Sequence, residues 1–300
     1  MLRDGVINFY KPPGMTSAQA VAFVKRLTGK KAGHAGTLDP EAAGVLPIMI
    51  GKATKLNDYL MDRSKVYLAE VAFGAATDTQ DAQGKIIKTG YNFPTKAEVA
   101  KASQTFIGEY MQLPPQYSAL KIDGKTAYQL AREGKTASLE ERPVHFHQIE
   151  VIDELPRHGF LLRVHCSKGT YIRTFCHDLG EQLGCPAHMR FLLREESSGL
   201  TLNHAGTMDD LNKWAADGFT EDFSPFVCVE DALAQLPRFT IPHHLLFPTI
   251  NGVPVAAKDI EGAGEIPDKT KVCLYHGDNL IGIYERYGDV FKVSVMFYQM

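Results

Sequence analysis

The chain has little that would suggest a membrane protein, a secreted protein or a metal centre. No apolar run approaches the roughly 20 residues that span a bilayer, and no basic segment followed by an apolar one opens the sequence. The five cysteines form no Cys-x-x-Cys pair, and none of the eleven histidines falls in a His-Glu-x-x-His pattern. We therefore expect a cytoplasmic protein with reduced thiols, no bound metal and no membrane contact.

The chain also lacks the positive net charge that a nucleic-acid-binding protein often has, since 32 Lys and Arg stand against 35 Asp and Glu. These charges are unevenly distributed. Residues 1–194 carry 25 basic and 19 acidic side chains, whereas residues 195–300 carry 7 and 16. Binding RNA requires a local basic face rather than a basic chain. An RNA-binding surface is therefore expected in the first two-thirds of the sequence.

Hydrophobic periodicity predicts a mixture of helices and antiparallel strands, that is, an α+β fold. Predicted strands lie at 5–9, 45–50, 65–74, 146–155, 160–166, 271–275, 280–285 and 290–297, with 85–88 returning as the partner of 65–74. Predicted helices lie between Thr16 or Ser17 and Gly29, over 95–107 and 170–183, and over the acidic stretch 200–230. We expect one large domain over residues 1–235 and a small β-rich module over 236–300.

Residues 110–145 are rich in Pro, Gly, Lys and Tyr. The basic residues Lys121, Lys125 and Arg132 are interleaved with tyrosines, a combination that suits irregular RNA. This pattern predicts an RNA-binding insertion. Acidic residues in the same segment leave an ordinary surface hairpin and helix as the alternative.

Residues 32–47 are the most informative segment, because they place one carboxylate, Asp39, in a loop rich in Gly and Pro. Glycines allow left-handed or closely packed backbone, and Pro40 fixes the chain direction directly after the acid. A carboxylate held among apolar neighbours is a candidate for catalysis. Asp39-Pro40-Glu41 is also typical of a helix start, with Asp39 as the N-cap. Spacing alone leaves both interpretations open.

Five blocks of the sequence resemble the TruB family of tRNA pseudouridine-55 synthases, and they occur in the family's order. They are Gly-Val-Ile-Asn-Phe-Tyr-Lys-Pro-Pro-Gly-Met-Thr-Ser (5–17), Gly-His-Ala-Gly-Thr-Leu-Asp-Pro (33–40), Thr-Asp-Thr-Gln-Asp-Ala-Gln-Gly (77–84), Pro-Pro-Gln-Tyr-Ser-Ala-Leu-Lys (114–121) and Cys-Ser-Lys-Gly-Thr-Tyr-Ile-Arg-Thr (166–174). The similarity thins after about residue 200. The resemblance implies a pseudouridine-synthase fold and the isomerisation of a uridine in the TΨC loop of tRNA. This reaction involves no redox change and no group donor, so no cofactor is expected.

The resemblance also assigns three catalytic residues. Asp39 is the carboxylate that attacks the sugar or ring carbon or stabilises a cationic sugar. Arg173 is its guanidinium partner, which favours the ionised acid. Tyr67 stacks on the extruded base and takes part in removing its proton. From the residues alone, Arg173 could equally bind a phosphate or a structural carboxylate, and Tyr67 could be a core residue.

Four further residues receive supporting roles from the same resemblance. His34 inserts into the RNA loop, Tyr171 and Leu192 line the base pocket, and Lys11 supports the catalytic loop. A satisfied loop histidine and ordinary core packing are the alternatives for the first three. The expected partner is the T arm and elbow of tRNA, bound by a monomer with no obligate protein partner.

The sequence departs from the family at residues 192–196, where Leu-Leu-Arg-Glu-Glu replaces the frequent Leu-Arg-Arg and weakens the expectation of phosphate contact. The C-terminal part is only vaguely similar to the RNA-binding PUA module. Three other functions are alternatives: an RNA-folding protein, a guided synthase that needs protein partners and a guide RNA, and a carboxylate hydrolase. The basic insertion disfavours the guided synthase, and the hydrolase would need a second acid, for which Glu41 is poorly placed.

Overall fold

The computed structural model describes residues 2–118, 120–122, 124–220 and 222–298, without the side chains of residues 121, 122, 125, 126, 128 and 132. Its strands are β1 Gly5–Lys11, β2 Ala32–His34, β3 Ala43–Ile50, β4 Lys65–Phe73, β5 Ala75–Thr77, β6 Ile86–Thr89, β7 Gly108–Gln112, β8 Lys121–Ile122, β9 Lys125–Thr126, β10 Arg142–Leu155, β11 Gly159–Cys166, β12 Ala187–Ser197, β13 Leu200–Thr201, β14 Phe226–Cys228, β15 Arg238–Thr240, β16 Val255–Ala256, β17 Lys271–His276, β18 Asn279–Tyr287 and β19 Val290–Met296. Its α-helices are α1 Ser17–Thr28, α2 Asn57–Met61, α3 Lys96–Gln104, α4 Ala127–Arg132, α5 Ile172–Gln182, α6 Met208–Ala216, α7 Val229–Ala232 and α8 His243–Ile250.

A ten-stranded sheet forms the main body of the molecule. Its order is β14-β1-β3-β12-β4-β11-β10-β7, with β2 paired to β3 and β13 to β12. The neighbouring strands run antiparallel, except for a short parallel contact between β12 and β3. The α+β prediction with a largely antiparallel sheet is confirmed, as is the pairing of the strands predicted at 146–155 and 160–166.

Strand β4 lies in the middle of this sheet and alternates as the sequence predicts. Tyr67, Ala69, Val71 and Phe73 are buried in one core that also contains residues of α3 and α5. Side chains two positions apart share a face of a strand. The face of β4 that carries Tyr67 therefore also carries Lys65, which is buried as well.

The contact between β12 and β3 depends on a glycine. Gly44 has a φ of +111°, and a Cβ atom there would lie 2.3 Å from the carbonyl oxygen of Arg194. Only glycine tolerates both that conformation and that approach. The start of β3, directly after the Asp39 loop, is thus held against β12.

Helix α1 has both predicted ends. Thr16 is its N-cap and forms a capping box with Gln19, and Gly29 ends it in the left-handed conformation.

Two local predictions were wrong, and one interpretation that the sequence left open is excluded. Residues 85–88 do not pair with 65–74, because both edges of β4 are taken by β11 and β12; β6 instead pairs with β5. Only part of the stretch 200–230 is α-helical, namely α6 and the start of α7, and β13, a 3-10 helix at Leu202–His204 and β14 also lie in it. No helix begins at Asp39: its carbonyl accepts a hydrogen bond from the amide of Ala42 in a turn, and β3 follows at once. A helix there would place Pro47 in its interior, where proline is not tolerated.

The C-terminal residues form a second, five-stranded sheet with the order β15-β17-β18-β19-β16. It has its own core around Ile281, Tyr284 and Phe291. Part of this module packs on the main body, where Leu280 belongs to the same buried cluster as Met49. Among the described residues, no helix is long and apolar enough to cross a membrane.

The predicted insertion follows β7 and contains the short hairpin β8–β9 and helix α4 before β10 begins. The backbone of this segment thus forms a hairpin and a helix, and its RNA-binding role stays a prediction. Its predicted RNA contacts, Lys121, Lys125 and Arg132, have side chains outside the described part of the structure.

Candidate active site

A cavity of about 250 Å³ opens beside the Asp39 loop. Five residues that the sequence singled out line it: Asp39, Tyr67, Tyr171, Arg173 and Leu192. They come from the loop before β3, from β4, from the start of α5 and from β12, and the large sheet brings them together. Because ligand pockets for larger molecules begin at about 300 Å³, this cavity suits a single extruded base better than an extended ligand.

Asp39 and Arg173 form an ion pair in the cavity wall. Arg173 Nε lies 3.0 Å from Asp39 Oδ2, and Nη2 lies 3.5 Å from Oδ1. The Arg173 side chain is only 5% exposed, whereas that of Asp39 is 40% exposed. The carboxylate thus faces the cavity, and the guanidinium holds it from behind.

The Arg173 guanidinium is itself fixed by other groups. Nη2 donates to the carbonyl of Tyr117 at 2.9 Å, and Nη1 lies 3.7 Å from Asp81 Oδ2. Arg173 occupies the first turn of α5, where a cation opposes the helix dipole. The carboxylates of Asp39 and Asp81 offset the cost of placing a cation at the N-terminus of the helix.

Burial raises the pKa of Asp39 above that of an ordinary aspartate. The positive charges of Arg173 and Lys11 lower this pKa, and the negative charge of Asp81 raises it further. The ion pair therefore limits how far the pKa of the acid rises, which favours a carboxylate able to react.

Side chains from α1 and β1 hold the Asp39 loop. Ser17 Oγ accepts from the Leu38 amide at 2.9 Å and donates to the Leu38 carbonyl at 3.0 Å. Lys11 Nζ donates to the carbonyls of Pro12, Met15 and Pro40, which are 2.9, 2.6 and 2.9 Å away. Lys11 is fully buried, and burial lowers its pKa to about 8.

Sequence reasoning missed Arg194, which it considered only as a phosphate contact. Arg194 is fully buried and lines the cavity. Its Nε donates to the Val45 carbonyl at 2.7 Å, and Nη2 donates to the Gly36 carbonyl at 3.0 Å. Arg194 thus ties together the two ends of the loop that carries Asp39.

Lys65 and Asp81 were also missed, although the sequence held a signal for each. Lys65 stands two residues before Tyr67 on a strand, so a period of two places both side chains on one face. Lys65 lines the cavity, and its Nζ donates to the carbonyls of Arg63 at 2.7 Å and Met61 at 3.2 Å. Asp81 belongs to the third motif block but was given no role.

His34, in contrast, is not among the described residues that line the cavity. It ends β2, and its buried Nδ1 makes no hydrogen bond to any described group. Burial and the nearby Arg194 lower its pKa, so the imidazole is neutral at pH 7. Within the described residues, no group of three or more His, Cys, Asp or Glu could hold a metal ion.

Comparison with known proteins identifies relatives over most of the chain. Residues 25–172 match the family model "TruB family pseudouridylate synthase (N terminal domain)", and residues 173–236 match "tRNA pseudouridylate synthase B C-terminal domain". A protein named tRNA pseudouridine synthase B from Alkaliphilus oremlandii is 49% identical over 69% of this chain and 70% of its own length. A protein of the same name from Geobacillus thermodenitrificans is 39% identical over 91% of this chain and 94% of its own. The structure of a Cbf5-Nop10-Gar1 complex matches with a TM-score of 0.74 and 28% identity, covering 98% of this chain and 85% of that one.

Proposed function

Since the chain belongs to the TruB family of pseudouridylate synthases, we propose that Asp39 is the carboxylate with which it performs the family's reaction at position 55 of tRNA. The protein is a tRNA pseudouridine synthase, an isomerase that converts uridine to pseudouridine in the TΨC loop. The residues, the RNA contacts and the oligomeric state through which it does so are proposals.

The reaction breaks the N1–C1′ bond, turns the base and joins C5 to C1′. A carboxylate assists by bonding to carbon or by stabilising a cationic sugar, and both require an ionised acid within reach of the substrate. The observation that carries the proposal is the Asp39–Arg173 ion pair of 3.0 Å in the wall of a cavity that suits one base. Arg173 acts through Asp39, as the group that keeps it ionised and oriented.

The target uridine lies within a folded RNA loop and has to leave the stack before Asp39 can reach it. Tyr67 and Leu192 are 7% exposed and share the cavity wall with Tyr171. These three side chains supply aromatic and apolar surface for the extruded base. His34, outside the cavity and with its buried Nδ1 unpaired, is proposed to enter the space that the base leaves in the RNA loop.

The RNA is proposed to be the T arm and elbow of tRNA, bound in part by the insertion between β7 and β10. Support comes from the excess of basic residues in the first two-thirds of the chain and from the three cations placed in this segment. A chain with its own RNA-binding segment has less need of a guide, so we propose a monomer without an obligate protein partner. Its proposed location is the cytoplasm, where its substrate occurs.

The test is the variant Asp39→Asn, incubated with an unmodified tRNA transcript without cofactor or added metal. Wild-type protein is expected to form pseudouridine in the TΨC loop, and the variant to form none while binding the RNA with unchanged affinity. Pseudouridine is mapped by chemical modification and primer extension, and binding is measured by filter retention. Modification by the variant at more than about a hundredth of the wild-type rate would refute the role of Asp39.

A further inference from the structure

The cavity wall holds more positive than negative charge. The buried charged side chains of the described residues are all cations: Lys11, Lys65, Arg173 and Arg194. Three of them line the cavity, whose described wall contains a single carboxylate, Asp39. Asp39 forms its ion pair with Arg173. Lys65 and Arg194 therefore add positive charge to the cavity wall that no carboxylate of this wall neutralises.

Lys65 and Arg194 are stabilised by carbonyl groups and not by acids. In the described part of the chain, no carboxylate forms an ion pair with either of them. Asp62 acts on Lys65 only through its charge and forms its ion pair with Lys168. A buried cation without a counter-ion costs free energy. Burial and Arg194 together lower the pKa of Lys65 to about 8, which reflects that cost. A negative charge arriving in the cavity would relieve it.

Lys65 retains hydrogen-bonding capacity for such a charge. An ammonium group has three N–H donors, and the carbonyls of Met61 and Arg63 take two of them. Lys65 and Tyr67 lie on the same face of β4, and Arg194 is directly opposite Tyr67 in the register of β12 and β4. Both cations therefore flank the tyrosine on which the base is proposed to stack.

The reaction itself brings a negative charge to this place. When the N1–C1′ bond breaks, its electron pair leaves with the base, so the detached uracil carries one negative charge shared by N1 and the carbonyl oxygens. The matching positive charge on the sugar is offset by the Asp39 carboxylate. When C5 bonds to C1′, the pair enters the new bond, C5 loses its proton and N1 gains one, so substrate and product have the same atoms and charge.

We propose that Lys65 is a further catalytic residue of this reaction, whose ammonium group stabilises the negative charge on the uracil while it is detached. Arg194 adds to the same field from a fixed position, held by its carbonyl partners. This assignment rests on the proposed function, since it takes Asp39 to act at the sugar. A contact between Lys65 and an RNA phosphate is the competing explanation, and the experiment separates the two.

The test compares Lys65→Met, Lys65→Gln and Lys65→Arg on synthetic TΨC hairpins that carry uridine or 5-fluorouridine at the target position. Single-turnover rates are measured with saturating full-length enzyme, as consumption of the target nucleoside after digestion and chromatography. Fluorine withdraws electrons and stabilises the anionic base, so the protein's cation matters less. We expect the two neutral variants to lose on the order of 10²-fold on uridine, as when one donor to a developing anion is removed. On 5-fluorouridine, the factor by which the two neutral variants lose rate should be at least about fivefold smaller. Lys65→Arg should recover most of the wild-type rate on uridine.

Two results would overturn the assignment. If the neutral variants lose the same factor in rate on both substrates, Lys65 has a phosphate contact or a structural role. If they lose no rate on uridine, Lys65 has no role in the reaction. The matched control is Lys101→Met, an exposed lysine of α3, which should have wild-type rates on both hairpins. Failure of the proposed function would appear separately, as activity that persists in Asp39→Asn.

Discussion

The Asp39–Arg173 pair predicts how the enzyme responds when the guanidinium is replaced by an ammonium group. Arg173 offers Asp39 two nitrogen atoms, at 3.0 and 3.5 Å, and its remaining donors reach Tyr117, Thr79 and Asp81. Lysine keeps the charge but cannot make this fork. Losing one hydrogen bond between charged groups costs about 1.5–3 kcal/mol, which corresponds to a rate about 10- to 150-fold lower for Arg173→Lys.

The pH dependence gives a second, independent readout of the same change. Asp39 has to be ionised to act, and burial already raises its pKa. Activity is therefore lost as the pH falls through that pKa. Removing the positive charge in Arg173→Met raises the pKa further, so the acid limb of the kcat profile should move to higher pH. Arg173→Lys should move it less, because the charge remains.

The assay is single-turnover pseudouridine formation between about pH 5 and 9 with saturating enzyme. Arg163→Lys is the matched control, since Arg163 pairs with Glu195 at 2.7 Å with its side chain 45% exposed. Exposed pairs contribute little, so its rate should stay within about twofold of wild type. An acid limb at the wild-type pH in both Arg173 variants, with rates within about threefold of wild type, would refute the argument.

Three further predictions concern stability and RNA binding. Gly44→Ala should lower the free energy of unfolding in urea by more than about 2 kcal/mol, because the new Cβ would lie 2.3 Å from a carbonyl oxygen of β12. Lys65→Met should be more stable than wild type at pH 7 by about 1–3 kcal/mol, because the native state destabilises the protonated lysine; this gain should shrink as the pH rises from about 8, the native pKa, towards the pKa of an unfolded lysine. Replacing Lys121, Lys125 and Arg132 together by alanine should reduce the slope of log affinity against log salt by about 2, if each contacts one phosphate of single-stranded character.

Each of these predictions has a result that would contradict it. Gly33→Ala is the control for Gly44, since a Cβ at Gly33 would meet its nearest atom at 4.0 Å; equal losses for both variants would refute the packing argument. A Lys65→Met protein less stable than wild type at pH 7, measured by urea denaturation, would show that Lys65 is not destabilising. An unchanged salt slope in a filter-binding titration would place the RNA away from the insertion.

Most of the site's polar chemistry was visible in the sequence, because short motifs carry it. Asp39 stands in a block of eight residues that is specific for the family, and Arg173 stands at the predicted start of a helix. The period of two in β4 identified the strand that carries Tyr67. These signals are local, so neighbouring residues are enough to recognise them.

Arg194 and Lys65 were not predicted as cavity residues. The period of two in β4 gave a local signal for Lys65 that was overlooked, whereas the burial of Arg194 depends on a distant part of the chain. Arg194 is enclosed only when β12 meets β3, whose residues lie about 150 positions earlier, and the adjoining acids only weakened the expectation of a phosphate contact. The partner of β4 was mispredicted for the same reason: a hairpin with 85–88 was the nearest choice, yet β11 and β12 occupy both its edges. Which strands pair with the two edges of β4 depends on the whole sheet.

The position of β12 also determines when the enzyme becomes complete. This strand, residues 187–197, separates β3, which follows the Asp39 loop, from β4, which carries Tyr67. Until β12 has been synthesised, no hydrogen-bonded strand joins the two sides of the cavity. Arg194 is also absent, so it cannot hold the two ends of the Asp39 loop together. A growing chain on the ribosome would thus contain all five family motifs and still be inactive. It would become active only when β12 pairs with both β3 and β4.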